Sequence, residues 1–115
     1  MSQERVLIAG NDAALHSRIE QSLGSAGLCI VDHIDDLGQY EGHGTGVDVV
    51  ILVGTDLNQV AERARLVPGL AELPLIAVLP YAASEEHIGR LLAAGMDEIV
   101  MGVGAELEVR VRGQL

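Results

Sequence analysis

The chain has 115 residues, 49% of them apolar, which is one domain's worth of sequence with enough aliphatic side chain to bury a core and too much for a disordered chain. Phe and Trp are absent and only Tyr40 and Tyr81 are aromatic, so the core has to be built from Leu, Ile, Val and Ala. A net charge of −10, with seven scattered Arg and no Lys, disfavours nucleic acid and anionic membrane as partners and excludes Schiff-base chemistry.

The start, Met1 to Arg5, has no long apolar segment, and no run approaches the ~20 apolar residues that span a bilayer, so a cytoplasmic location is expected. Residues 5–10 form a continuous apolar run, the pattern of a strand buried on both faces. Asp12 stands as a helix N-cap before Leu15, Ile19, Leu23 and Ala26, whose spacing predicts a helix over 13–26 closed by Gly27. His16 falls outside that stripe and is expected on a solvated face. A second strand follows over 28–34, and Cys29 within it is expected to be a small buried core residue. Gly38, Gly42, Gly44 and Gly46 then leave room for only a short helix, 35–41, and a loop.

Residues 48–54 predict the third strand. Thr55 or Asp56 caps a helix carrying Leu57, Val60, Ala61, Ala64 and Val67, which Pro68-Gly69 ends. The fourth strand is expected at 74–79. Ser84 caps the next helix, with Ile88, Leu91 and Leu92 inward and Gly95 closing it, and Glu98 to Met101 is the fifth strand. The last segment alternates apolar and polar residues, but Val103, Leu107, Val111 and Leu115 also share one helical face. After the fifth strand of a repeating βα unit the helix is preferred, which leaves Val109 off the core stripe. The whole reads as a single α/β domain, 1–115, of (βα)5 type with right-handed crossovers.

In an open α/β sheet, ligands and reacting groups stand beyond the carboxyl ends of the strands. Here those ends offer Gly10, Val53, Gly54, Leu79 and Pro80, with no nucleophile, base or ligand set. No two of His16, His33, His43 and His87 share metal-ligand spacing with a carboxylate.

The layout resembles the receiver domain of bacterial two-component response regulators over essentially the whole chain. The stretches that carry the resemblance are Arg5 to Leu15, Val67 to Ile76 around Pro68-Gly69 and Leu73-Pro74, Ala93 to Ile99, and Leu107 to Arg112. It implies a three-layer sandwich around a five-stranded parallel sheet of flavodoxin-like order 2-1-3-4-5. Active members hold Mg²⁺ on acidic residues after the first strand and accept phosphate on an Asp ending the third. A hydroxyl ends the fourth strand and a Lys the fifth. Laid on that pattern, the acidic pair falls on Gly10 and Asn11, the phosphoacceptor on Val53, the hydroxyl on Leu79 and the Lys on Gly102. The aromatic switch position falls on Ile99, and Asp12 alone remains of the acidic cluster.

The resemblance therefore implies a pseudo-receiver with a degenerate phosphorylation site, no cofactor, no metal and no enzymatic activity. Its role would be protein–protein interaction or dimerisation in signal transduction. Homologous receivers pair through the helix after the fourth strand, the fifth strand and the last helix. Those elements carry Glu85, Glu86, Arg90, Glu106, Glu108, Arg110 and Arg112 here, with Ile88 and Val109 as apolar contacts. An output domain fused in a longer protein is also implied. A second hypothesis is a small-ligand sensor using the glycine-lined sheet edge, and a third makes Asp56 or Asp12 a displaced phosphoacceptor.

Overall fold

Strands that are apolar on both faces need a layer of helices on each side, and that is the arrangement in the computed structural model, which describes residues 5–34, 47–54, 57–66, 72–79, 84–103 and 105–113. Five strands, β1 (Arg5–Gly10), β2 (Cys29–Ile34), β3 (Val49–Val53), β4 (Leu75–Leu79) and β5 (Glu98–Met101), pair in parallel in the order β2-β1-β3-β4-β5. The described helices are α1 (Ala13–Ser25), α2 (Leu57–Ala64), α3 (Glu85–Ala93) and α4 (Ala105–Gly113). The expected sheet order and strand placement hold.

Successive strand residues point to opposite faces, so each central strand feeds two cores. On one side Leu7, Ala9, Val50, Leu52, Leu75, Ala77 and Leu79 pack with Leu57, Ala61 and Ala64 of α2 and Leu91 of α3. On the other, Val6, Ile8, Val49, Ile51, Val53, Ile76 and Val78 pack with Leu15, Ile19 and Leu23 of α1 and Leu107 and Val111 of α4. The last segment is a helix, and Val109 is off its core stripe and 66% exposed.

Local sequence sets the helix ends. The Asp12 carboxylate accepts from the Leu15 amide at 3.1 Å, and the Ser84 hydroxyl from the His87 amide at 3.2 Å, so both expected N-caps form. Two core assignments change. Cys29 is only half-buried, because β2 is the edge strand. Leu92 is exposed, because a nine-residue helix turns one narrow stripe inward and Leu91 occupies it, a third of a turn away. Expectations for the 35–41 helix, Thr55, Asp56, Val67, Pro68-Gly69, Pro80, Tyr81, His43 and Leu115 lie outside the described residues, as does the His33 side chain. No described helix is long and apolar enough to cross a membrane.

The amino ends of β4 and β5 are fastened by a charged clip. Arg65, just after α2, donates to the carbonyls of Leu73 (2.8 Å) and Gly95 (2.5 Å) and to Asp97 Oδ2 (3.0 Å). The same Asp97 oxygen accepts from the Leu75 amide at 2.8 Å, so one carboxylate aligns a helix exit with the first residue of β4. The ion pair is partly exposed and contributes little by itself. The part-buried Leu75 N–H would be left without its acceptor. Asp97→Ala is expected to lower stability by about 1–2 kcal/mol, read as a lower urea midpoint with an unchanged m-value.

Candidate functional site

The carboxyl ends of β1, β3, β4 and β5 form one edge of the sheet, where an open parallel sheet places its ligands. Gly10 ends β1 in register with Val53, which ends β3. Val53 is fully buried and its side chain belongs to the core under α1 and α4. Leu79 is 2% exposed and belongs to the opposite core. These two positions therefore feed different layers instead of lining one basin.

Two close approaches mark the described part of the same edge. Gly10 has φ 140°, and a Cβ at this position would stand 1.7 Å from the Val53 carbonyl oxygen. Gly54 has φ 106°, and its Cβ would stand 1.9 Å from Asn11 Oδ1. Both are glycine because the backbone is in the left-handed region and the neighbouring chain occupies the side-chain space. At the far side the Gly102 amide donates to the Leu79 carbonyl at 2.7 Å and joins the ends of β4 and β5.

Asp12 is half-buried and its carboxylate is engaged as the α1 cap, while Asn11 is exposed at the surface of the turn. Among the described residues, no three His, Cys, Asp or Glu side chains gather into a metal-binding group. His16 departs from expectation. It is 4% exposed, and its Nε2 lies 2.9 Å from the Gly10 carbonyl oxygen. The signal was available in the spacing, since residues 16, 19 and 23 share a helical face as readily as 15, 19 and 23 do.

The expected interface residues divide into separate groups. Glu98, Glu106, Val109, Arg110 and Gly113 line an open groove of about 410 Å³ between β5 and α4. Within it, Arg110 reaches Glu98 at 3.3 Å and Glu106 at 3.7 Å. Arg112 points the other way, pairing with Glu108 at 3.2 Å and donating to the Ala26 carbonyl beyond α1. On α3, Glu86 pairs with Arg90, Glu85 is exposed and Ile88 is half-buried.

No family model matches the chain, and neither does any curated protein sequence. Solved structures do match over nearly their whole length. The chemotaxis response regulator CheY4 of Vibrio cholerae superposes with a TM-score of 0.80 at 16% identity, over 99% of this chain and 100% of that one. The receiver domain of the sensor histidine kinase PA1611 of Pseudomonas aeruginosa gives 0.78 at 18% identity, over 98% of each chain. A CheY-like receiver domain protein of Methanospirillum hungatei gives 0.74 at 23% identity, over 97% of this chain and 93% of that one.

The fold is the receiver fold. In the PA1611 structure a magnesium ion is coordinated in the active-site cleft. Among the described residues, the corresponding edge here carries Gly10, Asn11 and Asp12 after β1, Val53 and Gly54 at the end of β3, and Leu79 at the end of β4.

Because Gly10 combines a positive φ with a neighbouring carbonyl in its side-chain space, Gly10→Ala is expected to cost about 3 kcal/mol, from overpacking and left-handed strain together. Thermal unfolding of the variant should show the midpoint falling by roughly 10–20 °C.

Proposed function

We propose that this chain is a receiver module that acts through protein contacts and is not phosphorylated, its residues Gly10, Asn11, Val53, Leu79 and Gly102 being a degenerate phosphorylation site. The observation that carries the reading is Val53, fully buried at the end of β3. An acyl phosphate forms when a carboxylate oxygen attacks phosphorus, and a valine side chain has no oxygen to do so. The surrounding positions support the same conclusion. Gly10 and Asn11 offer no carboxylate for Mg²⁺, Asp12 is engaged as a helix cap, and no Lys exists in the chain to neutralise a phosphoryl group.

The glycines support this reading over a ligand sensor. Glycine permits close approach by a ligand, but at Gly10 and Gly54 that approach is already made by Val53 and Asn11. With no acceptor carboxylate at Val53, the chemistry left to the module lies on its surface. The groove between β5 and α4 sets exposed Val109 among Glu98, Glu106 and Arg110. Both signs of charge around one apolar residue make the patch self-complementary, which suits an isologous contact with a second copy. In the cell the module would be cytoplasmic and joined to an output domain.

Incubation with acetyl phosphate and Mg²⁺ followed by intact mass measurement is expected to leave the mass unchanged, and gain of one phosphoryl group would overturn the reading. Val53→Asp is not expected to restore phosphorylation. It places an uncompensated carboxylate in a closed core and should cost about 3 kcal/mol or more, seen as a lower denaturant midpoint. For the self-contact, sedimentation velocity across a concentration series should show a dimer that Val109→Arg converts to monomer with no change in thermal midpoint. A parent chain that stays monomeric at the highest concentration removes the dimer.

A further inference from the structure

We propose that His16 is a built-in latch that fixes the turn between β1 and α1, and with it Asn11, in a single position. The proposal rests on the reading of a receiver that does not take phosphate, and it names what holds the β1–α1 turn in place.

The ring is 4% exposed on the buried side of α1, and Nε2 is 2.9 Å from the Gly10 carbonyl oxygen. A carbonyl only accepts, so Nε2 carries the proton and donates it. The Gly10 carbonyl and the Asn11 amide belong to one rigid peptide unit. Holding the oxygen therefore sets the orientation of the whole Gly10–Asn11 peptide. Asn11 Oδ1 in turn lies in the side-chain space of Gly54, next to the end of β3.

Two shorter ties complete the device. The His16 amide donates to the Asp12 carbonyl at 3.0 Å, and the Leu15 amide to the Asp12 carboxylate at 3.1 Å. Residues 10 to 16 thus form a loop closed at both levels, by backbone at Asp12 and by the imidazole at Gly10. Leucine at position 16 would fill the same core space and remove the imidazole donor from the carbonyl. Glutamine carries a terminal amide that can donate to the same oxygen. The latch is thus a positioning device, distinct from generic core packing.

Amide hydrogen exchange on the parent, H16L and H16Q chains separates the two roles. H16L is expected to speed exchange at Leu15 and at position 16 by about tenfold, while the Leu75 amide, held by Asp97 at the other end of the sheet, stays at the parent rate. H16Q should return both turn amides toward the parent rate. In the parent, ring ¹⁵N spectra should show the proton on Nε2. Equal acceleration at Leu15 and Leu75, no acceleration at all, H16Q behaving like H16L, or an unprotonated Nε2 would each overturn the latch. Phosphate uptake by the parent chain is read separately by mass, so failure of the silent-receiver reading is distinguishable from failure of the latch.

Discussion

The close approach of β1 to β3 at the carboxyl edge of the sheet is the constraint on which the rest of this molecule depends. The last residue of β1 is a glycine whose missing side chain is replaced by the carbonyl of Val53. Beside that contact the Gly10 carbonyl oxygen meets His16 Nε2 at 2.9 Å, and Asn11 Oδ1 lies in the side-chain space of Gly54. A parallel sheet ordinarily leaves space at this edge, because strand ends diverge into loops that can hold a ligand. Here the Val53 carbonyl and the Asn11 side chain stand in the side-chain space of Gly10 and Gly54.

Apolar burial runs to the ends of β3 and β4. Each central strand is apolar on both faces and supplies two cores, and the pattern continues to the last strand residue. At Val53 and Leu79, positions that could end a strand with a polar group facing solvent, it instead ends with side chains that belong to the core. On the helix surfaces the ion pairs Glu86–Arg90, Glu106–Arg110 and Glu108–Arg112 recur at helical spacing. Such exposed pairs contribute a few tenths of a kcal/mol each. They shape the electrostatic surface more than they hold the fold.

The fold was legible because parallel strands buried on both faces leave a distinctive run of β-branched and aliphatic residues, separated here by capped amphipathic helices. Arg5–Gly10, Val49–Val53 and Leu75–Leu79 could be placed to within a residue or two, and Asp12 and Ser84 announced the helices they cap. The residue content of the candidate edge, with Gly10, Asn11, Val53, Leu79 and Gly102, was legible in the sequence. Its geometry was not. A glycine in sequence reads equally as an opening for a ligand or as room for a neighbouring strand, and only the register of β1 against β3 distinguishes the two. His16 was misplaced for a related reason: a helical stripe has soft borders, and whether a residue beside it is buried depends on what lies across the interface. Leu92, on the opposite border of its own stripe, failed in the other direction.

What the sequence determined by itself was chemical identity: no lysine anywhere, no carboxylate where the third strand ends, and enough aliphatic surface for two cores about one sheet. These are properties of composition and order that no folding can alter. What the tertiary structure decided was proximity. It placed the imidazole of α1 against the carbonyl of β1, directed Arg110 and Arg112 from one short helix toward opposite neighbours, and set the Val53 carbonyl beside Gly10 and the Asn11 side chain beside Gly54. Contacts between residues distant in sequence depend on strand register and helix rotation, which arise when all layers pack together and which no local pattern encodes.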